Sequence, residues 1–282
     1  MQARDWRALT AALVAIGLWS SAFVGIRAAS ASISPGALAL GRLLIGSVLL
    51  GVLLARRGAV RPSARHLALL LVAGLLWFGL YNLALNTAER VVDAGTAAMV
   101  INVGPLVVLA LAAVFLGEPV TASLALGGAV AFTGVLVIAF ASRSGDAPLS
   151  GVLLPLAATV ASAAGVVAQK PVLTRLSALQ VTWTCCVGGA ACCLPWAPAL
   201  VRDVRAARPG DLAWMVYLGV FPTSVAFTTW AYALARGSAS RLVTLAYLVP
   251  PITIVMSWLI LDEVPRPLAV VGGAICLAGV AF

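Results

Sequence analysis

The chain has 282 residues, of which 62% are hydrophobic and only 10% charged, and its mean hydropathy is +1.09. A water-soluble domain carries about 25% charged residues, so this chain cannot cover an aqueous surface, and its composition belongs to lipid. The formal charge of +9 would suit nucleic acid, but the arginines fall mostly at the ends of apolar runs, as membrane anchors and topology signals do, and no basic stripe interleaved with aromatics occurs.

In chain order the sequence predicts ten spans of roughly membrane-crossing length, over about 7–28, 36–56, 66–88, 94–116, 121–141, 149–171, 178–201, 211–234, 240–261 and 265–282. The first lacks a small-residue cleavage site and is read as a retained span rather than a signal peptide. The separators SISPG, ARRGAVRPSAR, LGEPVT, SRSGDAPLSG, RDVRAARPGD and DEVPRP are short and rich in breakers. Helices are required because lipid cannot satisfy exposed backbone groups, and a barrel would need alternating segments of about ten residues. The fold class is therefore an all-α integral membrane protein. Arginines 56–65 in one short loop give the best vote for orientation, with both termini cytoplasmic.

The run VFLGEPVTASLALGGAVAFTGV at Val114–Val135 returns as WLILDEVPRPLAVVGGAICLAGV at Trp258–Val280. Setting Glu118 on Glu263 gives an offset of 145 residues, which also carries Pro105 onto Pro250, Gly127 and Gly128 onto Gly272 and Gly273, and Gly134 onto Gly279. The chain thus reads as two five-helix repeats, 1–145 and 146–282. Five being odd, the second repeat enters the membrane inverted, as in many secondary transporters that work by alternating access. Gly127, Ala131 and Gly134 share a helical face, matched by Gly272, Cys276 and Gly279, so the fifth and tenth helices are each predicted to make a close structural contact, one with the other being one option and an oligomer interface the weaker alternative.

All nine acidic residues fall at span ends or in loops. Charged groups in mid-membrane usually mark ion or proton routes, so a neutral or zwitterionic substrate fits better than a permanent cation. Glu118 and Glu263 are each read as capping the helix that follows, with coupling or gating as the alternative role. Four of the five cysteines sit in TCCVGGAACC inside an apolar run and read as small packing residues. With one histidine, His66, the chain offers no convergent metal-ligand set, and no cofactor is implied. No nucleotide-binding loop of the G-x-x-x-x-G-K-[ST] kind occurs.

LWSSAFVGIR at Leu18–Arg27, the block from Leu83 to Val120 ending in Gly-Glu, and its counterpart from Ala231 to Pro265 resemble EamA-type exporters of the drug/metabolite transporter superfamily, amino-acid exporters among them. Asp262 stands where the family usually has Gly before the glutamate. The resemblance covers essentially the whole chain. It implies a ten-helix carrier of small metabolites in a bacterial inner membrane, with no enzymatic activity, and a cavity lined mainly by helices one, three, four, six, eight and nine. Small four-helix relatives exchange protons through a glutamate in the first helix. This chain has Trp19, Ser20 and Ser21 there, so that mechanism does not carry over.

Candidate substrate contacts are Trp19 and Phe23 on the first helix, Tyr81, Asn82 and Asn86 on the third, Asn102 on the fourth, Phe227 on the eighth and Tyr247 on the ninth. Candidate hinges are Pro105, Pro222, Pro250 and Pro251, since proline leaves a carbonyl without its donor. Arg27, Arg42 and Lys170 are read as snorkelling to span ends. The predicted partners are the bilayer and a small molecule, with a monomer sufficient. Amino-acid export is the leading function. A multidrug or nucleoside exporter is the alternative within the superfamily, and a receptor or scaffold the alternative outside it.

Overall fold

The computed structural model describes residues 6–88, 90, 101–142, 150–261 and 267–281. Glu263, Asp262, Glu89, Asp93 and Asp146 lie outside the described residues. Every element among those described is helical. The helices are α1 (Trp6–Ala29), α2 (Pro35–Arg57), α3 (Ala64–Ala88), α4 (Gly104–Leu116), α5 (Ala122–Ser142), α6 (Ser150–Gln169), α7 (Ala178–Cys192, continued after a bend by Leu194–Ala206), α8 (Pro209–Arg236), α9 (Ala239–Thr244, Leu245–Leu248 and Val249–Leu261) and α10 (Pro267–Ala281). Six helices are long and apolar enough to cross a membrane, or seven with bent α7 counted as one span, and α4 is among the shorter apolar helices. The chain is a multi-pass membrane protein.

Serines open several helices. Ser63 accepts from the His66 N–H, Ser177 from Gln180 and Ser238 from Arg241, each filling a donor that a helix start leaves unpaired. The span expected over 178–201 is a bent helix pair. The α7 axis turns by 56° at Cys193, where Pro195 and Pro198 remove backbone donors, and the chain continues as the amphipathic helix Ala197–Ala206.

Two helices carry a π-helical turn, Gly74–Leu80 in α3 and Gly219–Val225 in α8. Tyr81 N–H reaches back five residues to Leu76 O, and Ala226 N–H to Phe221 O. The two turns are 145 residues apart, the offset read from the sequence. Each begins at a glycine pressed against another helix. A Cβ on Gly74 would stand 2.8 Å from Cys185 O in α7, and one on Gly219 would stand 2.7 Å from Ile45 in α2.

The packing follows the same offset. α2 lies on α7, α3 on α7 and α8 on α2, α1 on α8 and α6 on α3, α1 on α9 and α6 on α4, α4 on α9, and α5 on α10. Advancing every helix by five places returns these pairs to themselves, while α9 also packs on α5 and α10, contacts outside that symmetry. Of the two options for the small-residue faces of the fifth and tenth helices, contact with one another is the one present, so close that a Cβ on Gly279 would fall 2.3 Å from Ala131 N.

The described connections meet at two ends. At one, Gln180 pairs with both backbone groups of Val60, and the turn after α4 meets the turn before α9. At the other, Ser34 N–H donates to Asp203, Ser32 to Asp211, and Arg90 to Ile33 O.

Candidate functional site

The first helix brings three kinds of side chain into register. Ser20 donates to Ile16 O in its own helix and lies 3.4 Å from Val249 O in α9, while Thr253 donates to Ser20 O. Ser21 shares a hydrogen bond of 2.6 Å with the Tyr217 hydroxyl of α8. These bonds pin α1 to α8 and α9 and leave the intervening face, Trp19 and Phe23, turned to a cavity of about 120 Å³.

An aromatic cluster forms one wall. The Trp19 ring lies 5.1 Å from Trp230, 5.4 Å from Phe227 and 5.9 Å from Trp77, and Phe227 stacks 4.2 Å from Phe78. Edge and tilted contacts of this kind suit the ring quadrupoles. The π turns place these rings. Trp77 and Phe78 lie inside the α3 turn, and Phe227 and Trp230 follow the α8 turn directly. Close helix contacts seat them, since a Cβ on Gly165 would fall 2.5 Å from Trp77 and one on Gly189 2.6 Å from Phe78.

The polar wall is built from Arg42, Asn82, Asn102 and Ser162. Asn82 Nδ2 donates to Phe78 O at 2.8 Å, serving a carbonyl beside the irregular turn. That bond needs the amide nitrogen on the backbone side and turns Oδ1 the other way. Arg42 is 3% exposed, and its Nε donates to Thr223 Oγ1 at 3.0 Å within the α8 π turn. The indole Nε1 of Trp230 has no hydrogen-bond partner among the described residues.

Six of the eight proposed contacts, Trp19, Phe23, Tyr81, Asn82, Asn102 and Phe227, line this cavity, and so does Pro105. Asn86 does not. It is buried away from the wall, and its amide donates to Pro35 O, tying α3 to the start of α2. Tyr247 is fully buried behind the wall rather than in it. Pro222 sits within the α8 π turn. Pro250 and Pro251 do not break α9. They occupy the first turn of Val249–Leu261, where a missing donor costs little, and the irregularity precedes them at Leu245–Leu248.

Two readings of charged residues are corrected. Arg42 does not snorkel. Seven residues inside α2, it is about 10 Å from the helix start at 1.5 Å per residue, a depth that the sequence shows and that could have marked it. Glu118 does not cap the helix after it, a task left to Thr121, which accepts from Leu124 N–H. Its carboxylate instead takes the N–H groups of Ala239 and Ser240, both at 2.9 Å, and the Ser240 hydroxyl at 2.6 Å, capping α9 across the molecule. Lys170 donates to Leu234 O and Gly237 O at the end of α8. The one turn between α8 and α9 therefore carries a cation on the incoming carbonyls and an anion on the outgoing N–H groups, each matched to its helix end. Burial pushes the Glu118 carboxyl up, but the hydrogen bonds from Ser240 and Ala239 and the Lys170 charge outweigh it and hold the group below the usual carboxylate range. Trp77 and Ser162 also line the cavity and were not singled out from sequence, and Trp230, three residues after Phe227, lines it too.

The chain matches the EamA-like transporter family twice, over residues 6–140 and 149–282. It is 38% identical to a probable terminal-alkyne amino-acid exporter of Streptantibioticus cattleyicolor, over 97% of this chain and 92% of that protein. It is 31% identical to the uncharacterized transporter YdfC of Bacillus subtilis, over 95% of this chain and 87% of that one. A solved crystal structure, 21% identical, superposes with a TM-score of 0.77 over 99% of this chain and 96% of that one, which shows a shared fold.

Proposed function

Because this chain belongs to the EamA-like transporter family, we propose that it is a secondary transporter exporting small neutral or zwitterionic metabolites, amino acids first among them, across a bacterial inner membrane. The observation that carries the reading is the central cavity, roofed by aromatic rings and floored by Arg42 and asparagine amides. Its volume of about 120 Å³ is small beside the 300 Å³ or more of drug-sized sites. That supports a compact metabolite over a multidrug substrate. The printed name of the S. cattleyicolor relative points the same way.

The mechanism proposed is alternating access between two inverted five-helix repeats, residues 1–145 and 146–282, with ten crossings in all. Support comes from the two π turns 145 residues apart, from the helix pairs that map onto one another at a shift of five, and from the sorting of connections to two ends. Pro105 and Pro222 are proposed to let their helices yield as the halves rock, and in α9 that part is proposed for the turn Leu245–Leu248 just before Pro250 and Pro251. Glu118 is proposed as a structural tie rather than a proton carrier, since a carboxyl held below its usual range stays ionised near neutral pH in this conformation.

The test is counterflow in liposomes holding the purified protein, with radiolabelled amino acids, nucleosides and quaternary amines. Amino acids should exchange well above protein-free vesicles. Exchange of nucleosides or quaternary amines without amino acids would transfer the protein to another substrate class, and no exchange of any solute would end the transport reading.

A further inference from the structure

The cavity-lining residues of α4 end at Val108, and those of α9 begin at Val243. Beyond them, toward the turn between α8 and α9, the two helices meet through small side chains. Ala112 and Ala239 are fully buried there, and Ser240 is 1% exposed. Ser240 stands three residues before Val243, about 4.5 Å along the helix at 1.5 Å per residue. This seam shuts the cavity at the end where Gln180 pairs with Val60. Its polar fastening is the Glu118 carboxylate on the N–H groups of Ala239 and Ser240 and on the Ser240 hydroxyl. In the two-repeat mechanism proposed above, Glu118 belongs to one half and Ala239 and Ser240 to the other. A movement that parts the halves at this end must break all of these bonds. Gln169 gives an independent sign. It precedes Lys170, which holds the same turn by Leu234 O and Gly237 O. Gln169 is 2% exposed, and its Nε2 meets no partner among the described residues. A buried amide left in that state carries its full desolvation cost, which water entering at this end would relieve.

We infer that the tie from Glu118 to Ala239 and Ser240 is the latch of a gate, closed in this conformation, whose parting opens the cavity on the side where the α2–α3 loop emerges. The inference rests on the alternating-access reading for its setting, but its first test needs no transport. In a protein whose five native cysteines are replaced, Val243→Cys places a thiol just inside the latch. An impermeant maleimide, applied to sealed vesicles from the side on which Arg57→Cys reacts, should label it slowly. Glu118→Ala should speed that labelling roughly tenfold to a hundredfold, and Ser240→Ala roughly threefold to tenfold, as loss of charge-assisted bonds predicts. Ser240→Ala serves if Glu118→Ala does not fold. A second reporter keeps Cys185 alone, which is fully buried in α7 and does not line the cavity. Its labelling should stay unchanged, whereas general loosening of the fold would speed it too. In the counterflow assay, Glu118→Cys with Ser240→Cys, bridged by a short bis-methanethiosulfonate, should lose exchange and regain it on reduction.

The inference is overturned if Val243→Cys labels at one rate with and without Glu118, or if Cys185 accelerates in parallel. Full counterflow in the bridged protein would also overturn it while leaving transport standing. Latch-dependent labelling in a protein that exchanges no solute would do the reverse, upholding the gate and ending the transport reading.

Discussion

At Glu118 one carboxylate holds three donors from α9, and Lys170 closes the other side of the same turn. The group's folded-state pKa is lowered from a reference of 4.5. A depressed carboxyl stabilises the fold above its unfolded pKa, and that contribution is lost as pH falls through the folded value. Thermal stability in detergent should therefore be insensitive to Glu118 titration from pH 8 to 5 and fall only in acid. Glu118→Ala should lower stability by about 2 kcal/mol at pH 7 and flatten the acid fall. A variant whose midpoint moves with pH between 6 and 8 as wild type does not would contradict this assignment. The hydroxyl pair Ser21 and Tyr217 makes a second residue-scale case. Ser21→Ala and Tyr217→Phe should each cost about 1 kcal/mol, and the double variant little more than either alone, because the two share one bond.

Among elements, the seam of α5 and α10 was legible from sequence because small residues at helical spacing in lipid have few other uses. The structure adds which glycine bears the contact. Gly279→Ala would drive a Cβ to within 2.3 Å of Ala131 N, so the helices must part, at a cost of about 1–3 kcal/mol. Gly17→Ala, where nothing lies within 4 Å, should be neutral or stabilising. Equal unfolding temperatures for the two variants would remove the seam from the account. The bend of α7 had a signal in Pro195 and Pro198 that the reading of one run over 178–201 passed over, whereas the π turns were not legible. A hydropathy run has no phase that distinguishes a turn of five residues from one of four, and only the α8 turn contains a proline. The same blindness hid Trp77, which is an ordinary apolar residue until the turn aims it at Trp19. Arg42 was misplaced for another reason: arginine in a span is usually at its edge, and that prior outweighed its depth.

Over the whole molecule, the proposed inversion makes the loop after α2 and the loop after α5 emerge on opposite faces. Single cysteines at Arg57 and Arg143 should react with an impermeant maleimide from different sides of sealed vesicles. The labelling is done in a variant with all five native cysteines replaced by alanine or serine, so that only the introduced thiol reacts. Labelling of both from one side would leave the family membership intact and dissolve the two-repeat mechanism.

The π turn in α3 also governs what insertions and deletions this helix can bear. One residue fewer between Gly74 and Leu80 would let the segment relax into ordinary α-helix with Tyr81 and Asn82 still on the face they now occupy, because the wide turn holds one residue more than an α turn. The same deletion elsewhere in α3, where no surplus residue can be given up, would swing the flanking segments by about 100° against each other while hydropathy, length and membrane insertion stayed almost unchanged. Such a protein would reach the bilayer folded and abundant, yet have lost its grip on cargo.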